Sequence, residues 1–406
     1  MAAIGKFLKW LLLRMVYVFL AILRSGAVQT WTLDDFEDGD LKSASGLSWI
    51  VIADDLGGGA TEARLEVVPA ATDAGSTRAL RLAGRLGGGA GSFAGAWATL
   101  ERTGRNLDLS AFEGVRLRVK GPARLDVGFR SGVVNFMARV EAGPDWKLVE
   151  IPFSTLKPSG RNVPDGTRWD ASALQVLGVT TPQMPASDDR TTGELSFELD
   201  DVMFYADRSS RVEPVAAGPS TGVTVVPFTT FADIPSTGWI DLGRDSERDG
   251  KFPSLPDATR LEILASAPGD VLWAKVTLRE SPHDRWIGMN LALDTDGDPA
   301  NGFAWWGANT AFKFDQLVTV WCFRVADGCQ GYVGVADAAQ VAARTLVAGG
   351  GEKLRIAIDR DQRAFIVGVP RDLLKLTGKE IRLVAAVGSA LLFGDDVPGQ
   401  GAATIR

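Results

Sequence analysis

Val115-Arg116-Leu117-Arg118-Val119-Lys120 alternates apolar and basic residues with a period of two. That spacing puts Val115, Leu117 and Val119 on one face of an extended chain and the three cations on the other. Such a segment is a strand with one buried face. The same alternation runs through Leu195-Ser196-Phe197-Glu198-Leu199, Leu272 to Leu278 and Leu354 to Ile358, each bounded by Gly, Pro, Asp or Asn turn residues. Helical spacing is confined to short stretches near 336–343 and 371–376. With 46 glycines and 12 tryptophans in 406 residues, the pattern is that of an all-β protein built from sandwiches. A Pro, Gly and Ser-rich stretch, 208–222, separates two strand-rich blocks of similar size. The expected architecture is therefore two jelly-roll or β-sandwich domains in tandem, 31–207 and 223–406, with 208–222 as linker.

Composition removes several chemistries. A formal net charge of -7 is the wrong sign for a nucleic-acid binder, which neutralises phosphates with clustered Lys and Arg. The chain has one histidine, His283, and two cysteines, Cys322 and Cys329. A Ser-His-Asp triad could use only His283. Four-thiolate clusters, His-rich zinc sites and Cys-x-x-Cys-His haem attachment cannot be assembled from this inventory.

Residues 1–27 read as a membrane-targeting helix. Lys6, Lys9 and Arg14 precede the apolar run Met15 to Leu23, and Asp34, Asp35, Glu37, Asp38 and Asp40 follow it. The positive-inside bias then leaves Met1 on the cytoplasmic side of a bacterial inner membrane, or at its interface, and the main domains in the periplasm. Two fates are open. Ser25-Gly26-Ala27 has the small residues of a signal-peptidase site. If retained, the segment lies in the bilayer over residues 6–24. It is then either a short tilted span with Arg14 and Arg24 snorkelling, or an amphipathic helix with Lys6, Lys9, Arg14 and Arg24 inside an arc of about 140°. Trp10, Tyr17 and Phe19 would meet the lipid.

The first block resembles the complex I intermediate-associated protein 30 family through a series of stretches in order. They are Asp34-Asp35-Phe36-Glu37 with Trp49 downstream, Phe93-Ala94-Gly95-Ala96-Trp97, Asp108 to Gly121, Trp146 leading to Val149-Glu150-Ile151-Pro152-Phe153, and Asp200-Asp201-Val202-Met203-Phe204-Tyr205. The resemblance implies a galactose-binding-like jelly roll and a role in assembling a respiratory complex. The second block is similar, more loosely, to carbohydrate-binding and DOMON-type sandwiches. That likeness rests on Trp239 to Gly243, the strand at Trp273, and Met289 to Asp298 followed by Trp305 and Trp306.

Five candidate sites stand beside simpler readings. Asp294, Asp296, Asp298 and Asn301 alternate oxygen side chains as a hard cation such as Ca2+ requires, or form a polar turn. Pro299 and Trp305 rule out an EF-hand, occupying the positions of its Gly and its bidentate Glu. Cys322 and Cys329 flank Asp327-Gly328, a hairpin signal, and are either a disulfide or two buried thiols. Adjacent Trp305 and Trp306 point to opposite faces if extended, leaving one for a glycan or protein contact. Arg116, Arg118 and Lys120 form a basic face that is either a partner contact or solvated surface. The acidic pairs Asp34-Asp35 and Asp200-Asp201 would suit a glycoside hydrolase only if opposed across a cleft, and strand neighbours are not. The inventory thus points away from an enzyme. It favours an accessory, scaffold or assembly subunit of a membrane electron-transfer complex, respiratory or photosynthetic, with an envelope carbohydrate-binding protein as rival and an acidic hydrolase as the weakest reading.

Overall fold

The computed structural model describes residues 29–405 apart from 73, 89–90, 103, 123, 132–133, 161–162, 164–165, 183–192, 207–212, 221, 247–254, 268–269, 308, 344, 379 and 391. The helix expected over 1–27, with Trp10, Arg14, Tyr17, Phe19 and Arg24, lies outside these residues. Among the described residues no helix is long and apolar enough to cross a membrane.

In the first domain, alternation does what the sequence suggests. Val115, Leu117 and Val119 are fully buried in the strand Gly114–Lys120. That strand lies between Lys147–Pro152 and Glu194–Ala206 in a six-stranded sheet continued by Arg78–Arg85 and Glu62–Pro69, with Gln29–Asp34 on the far half of Glu194–Ala206. A nine-stranded sheet packs across it, running Lys157–Ser159, Val134–Glu141, Arg124–Ser131, Leu174–Thr180, Ala94–Thr99 and Ile50–Ala53. Leu80, Leu82, Leu199 and Phe204 share one core with Ala96, Val127, Phe129 and Leu177. Each of the Leu, Val and Phe side chains contributes about 1.5–3 kcal/mol on burial.

The second domain repeats the plan. A seven-stranded sheet with Gly328–Asp337, Gln316–Val325, Trp286–Asp294 and Ile381–Gly388 at its centre faces a five-stranded sheet of Ile240–Arg244, Ala258–Ala267, Val271–Leu278, Ala364–Pro370 and Arg355–Asp359. Leu261, Ile263, Val276, Leu291, Val320 and Val387 share its core. Among the described residues helix is limited to α1, Ala338–Ala342, with a capping box from Asp337 and Gln340, and single 3-10 turns such as Arg371–Leu373.

The expected linker is corrected in part. Within 208–222, Val215–Ser220 is a strand that pairs with Arg105–Asp108 at the margin of the first domain. The Val215-Ala216-Ala217 run suits an extended chain, and an edge strand tolerates Pro219.

The domains share an apolar seam. Ile52 and Leu56 from the first cluster with Leu255, Trp286, Phe323 and Ala390 from the second, with Ile50 and Trp97 at the margin. Trp97 can lie flat on its sheet because Gly178 is beneath it, where a Cβ would come within 2.6 Å of the indole Nε1. Polar links flank the apolar contact. Ser48 N–H donates to Gln330 Oε1 at 2.7 Å, Gln330 Nε2 donates back to Ser48 O at 2.8 Å, and Ser389 Oγ donates to Leu56 O at 2.7 Å.

Candidate functional site

The basic strand face is a ladder of ion pairs. Arg116 Nε donates to Glu150 Oε2 and Arg118 Nε to Asp201 Oδ2, both at 3.0 Å, and Lys120 lies 3.4 Å from Glu198, which also holds Arg81. Register dictates this, because Glu150 stands directly across from Arg116 and Glu198 across from Lys120. Opposed charges on neighbouring strands stabilise the sheet modestly and leave little net positive field.

Trp305 and Trp306 do not point to opposite faces. The strand Phe303–Ala304 ends before them, and in the coil beyond it the two indoles stack at 4.8 Å. Trp305 is buried and donates to Asp396 Oδ2 at 2.7 Å. Trp306 is 36% exposed and packs against Phe303, Phe314 and Phe393, with Leu392, 40% exposed, next to Phe393 in the chain. The result is an aromatic platform whose indole faces solvent.

The aspartate loop satisfies itself. Asp294 Oδ1 accepts from Gly297 N–H at 2.8 Å and its Oδ2 from Arg382 at 3.0 Å. Asn301 Nδ2 donates to Asp296 at 2.9 Å and to Asp298 at 3.3 Å. Asp294, Asp296 and Asp315 bring carboxylate oxygens within 4.8 Å of one another, while Asp298 and Asn301 stand outside that trio. Asp315 and Arg382 come from neighbouring strand ends, distant in sequence, so spacing gave no sign of them. Cys322 and Cys329 are disulfide-bonded, with 5.5 Å between Cα atoms, across the two-residue turn Ala326-Asp327.

His283 belongs to the seam. Its Nδ1 accepts from Arg285 N–H at 3.2 Å, its Nε2 lies 3.4 Å from Asp55 Oδ2, and its ring stacks on Trp286 at 4.4 Å. Burial lowers its pKa, against the pull of Asp55. Nδ1 serves the local turn, and only the Nε2 contact with Asp55 crosses to the first domain. Asp55, buried in the first domain, also accepts from Arg285 Nη2 and from Trp286 Nε1 at 3.2 Å.

The acidic pairs likewise have local duties. Asp34 accepts from Phe36 N–H at 2.9 Å and Trp49 Nε1 at 2.8 Å, and burial pushes its pKa up to about 7. Asp35 accepts from Glu37 N–H, and Asp201 is paired with Arg118.

The chain is thus two tandem antiparallel sandwiches joined by an apolar seam, with an aromatic platform at Trp306. Residues 35–199 match the model of the complex I intermediate-associated protein 30 family, so the first sandwich carries the family resemblance over nearly its whole length. The match spans less than half of the chain. No curated protein matches it. Among solved structures, the family 11 carbohydrate-binding module of a cellulosomal cellulase of Clostridium thermocellum is 17% identical with a TM-score of 0.32, over 44% of this chain and 95% of that one. A tandem pair of family 22 modules from a Paenibacillus barcinonensis protein is 12% identical with a TM-score of 0.24, over 84% of this chain and 90% of that one. A β-1,2-glucanase from Parabacteroides distasonis is 9% identical with a TM-score of 0.29, over 93% of this chain and 39% of that one. Likenesses this remote say nothing of a ligand.

Proposed function

We propose that the chain is a non-enzymatic accessory or assembly subunit of a membrane electron-transfer complex, held on the periplasmic face of the inner membrane by its amino-terminal segment. The observation that carries the reading is the family match over residues 35–199, since the family takes its name from intermediates of respiratory complex I. The surface supports it. Trp306 is ringed by Phe303, Phe314, Phe393 and Trp305. An exposed aromatic cluster of this kind suits the centre of a protein contact. The seam adds a second feature, because two domains locked together present their contacts at a fixed spacing and avoid the entropy of ordering a flexible pair.

The test is migration of the full chain in a native gel of gently solubilised membranes. Co-migration with a large respiratory or pigment-bearing complex is expected, weakened by Trp306→Glu. Migration as a free monomer that binds envelope polysaccharide would overturn the reading in favour of a carbohydrate-binding protein.

A further inference from the structure

His283 is the chain's one histidine, and it stands where the two domains meet. It lies just before the strand Trp286–Asp294, beside a groove of about 490 Å³ between Thr61 to Ala63 of the first domain and Ser281 to Arg285 of the second. The groove gives water a path to the ring, whose side chain is 35% exposed. The ring stacks on Trp286, itself buried in the seam.

The contacts fix where protons can go. Nδ1 accepts from Arg285 N–H at 3.2 Å, so the neutral ring keeps its hydrogen on Nε2, which lies 3.4 Å from Asp55 Oδ2. A second proton has only Nδ1 to occupy. There it would oppose the Arg285 N–H donor, release the turn from His283 to Arg285, and put an imidazolium beside the Arg285 guanidinium on the same carboxylate. The charges that face the ring come from both domains. Asp55 belongs to the first, Asp284 and Arg285 to the histidine's own segment, and Glu62 of the first domain lines the groove. Asp54, next to Asp55, is turned to Thr61 N–H, and Asp284 is paired with Arg360 at 2.6 Å. Burial, with the Arg285 charge, outweighs the attraction of Asp55 and Asp284 and holds the imidazole below its ordinary value of 6.5.

We propose that His283 makes the seam a pH-sensitive catch, closed while the ring is neutral and released when protonation turns its Nδ1 from acceptor to donor. A ring held below 6.5 in the closed form, and free to titrate at its ordinary value in the parted form, binds a proton better when parted. The closed form is therefore at full strength above about pH 6.5 and loses ground as pH falls through the window beneath, until the closed ring is itself protonated. Each domain keeps its own core throughout, because His283 belongs to neither. The catch sets the spacing of the two domains and does not depend on what either one binds.

Hydrogen exchange of the full chain between about pH 5 and pH 7.5 tests this. The Ser48 amide is the probe, since its N–H donates to Gln330 of the second domain. Corrected for intrinsic exchange, Ser48 in the wild type should open at least about threefold more often at the acid end than at the neutral end, while Leu80 and Leu82 in the first core stay flat. His283→Gln offers a donor and an acceptor but takes no proton, and it should remove that pH dependence. Glu101, which burial also brings into this range, is common to both proteins and cancels in the ratio of their rates. Should His283→Gln part the seam at every pH, 15N NMR of the selectively labelled histidine in the wild type decides. A ring that titrates below 6.5, with its hydrogen on Nε2 at neutral pH, supports the catch. One that titrates at or above 6.5 in the native chain overturns it. So does a ratio of wild-type to variant rates that holds constant with pH, or acceleration at Leu80 equal to that at Ser48.

Discussion

Replacing Asp55 by Ala should loosen the seam without unfolding either domain. The carboxylate is buried and gathers three groups from the second domain: the Arg285 guanidinium, Trp286 Nε1 and His283 Nε2. Truncation leaves a guanidinium whose other terminal nitrogen, Nη1, is already buried without a partner. Breaking a buried pair by removing one member costs about 3–5 kcal/mol. The Arg285 side chain retains 21% exposure, so the lower end, about 3 kcal/mol, is the better figure. At 1.36 kcal/mol per decade that is about a hundredfold rise in seam opening. The Ser48 amide reports it, because its N–H is held by Gln330 of the other domain and exchanges with solvent only when the seam parts. Hydrogen exchange should accelerate about a hundredfold at Ser48 and stay unchanged at Leu80 and Leu82 in the first core. An unchanged Ser48 rate would show that the apolar contact alone holds the domains. Equal acceleration at Leu80 would show that Asp55 supports its own domain instead.

Two further outcomes follow from buried groups. Burial pushes the Glu101 carboxyl up to about 7 from an ordinary 4.5, so its ionisation opposes folding as pH rises through that window. Glu101→Gln should stabilise the chain by up to about 3 kcal/mol at pH 8 and have no effect at pH 4.5, read by denaturant melts; a pH-independent effect would refute the assignment. Replacing both Cys322 and Cys329 by Ser opens a clip of sequence separation 7 and should cost about 2.5 kcal/mol by restoring freedom to the unfolded chain. A double variant as stable as wild type in non-reducing melts would remove that contribution.

The fold was legible wherever a local pattern had a local cause. Alternation in Val115 to Lys120 located a strand because one face of a sheet is apolar, and Asp327-Gly328 marked a hairpin whose two turn residues are Ala326 and Asp327. Alternation could not show what stands across the ladder. The charges of Arg116, Arg118 and Lys120 looked like a basic face until register set Glu150, Asp201 and Glu198 beside them. Trp305 and Trp306 stack side by side, one buried and one exposed, because period two holds only while a strand lasts and this one ends at Ala304.

The seam was beyond reach for a different reason. Asp55 looks like any turn aspartate, and Arg285 and Trp286 like a strand entry, yet they meet across 230 and 231 residues of sequence. Nothing local distinguishes a carboxylate that will be buried by another domain from one that will be hydrated. Asp200 makes the same point within one domain. Beside Asp201 it reads as half of an acidic pair, and only the partner change along Glu194–Ala206 shows that it is buried. Sequence patterns report which face a side chain takes. The charge it must then neutralise is set by chain brought in from elsewhere, and that is where the structure adds most to the functional reading.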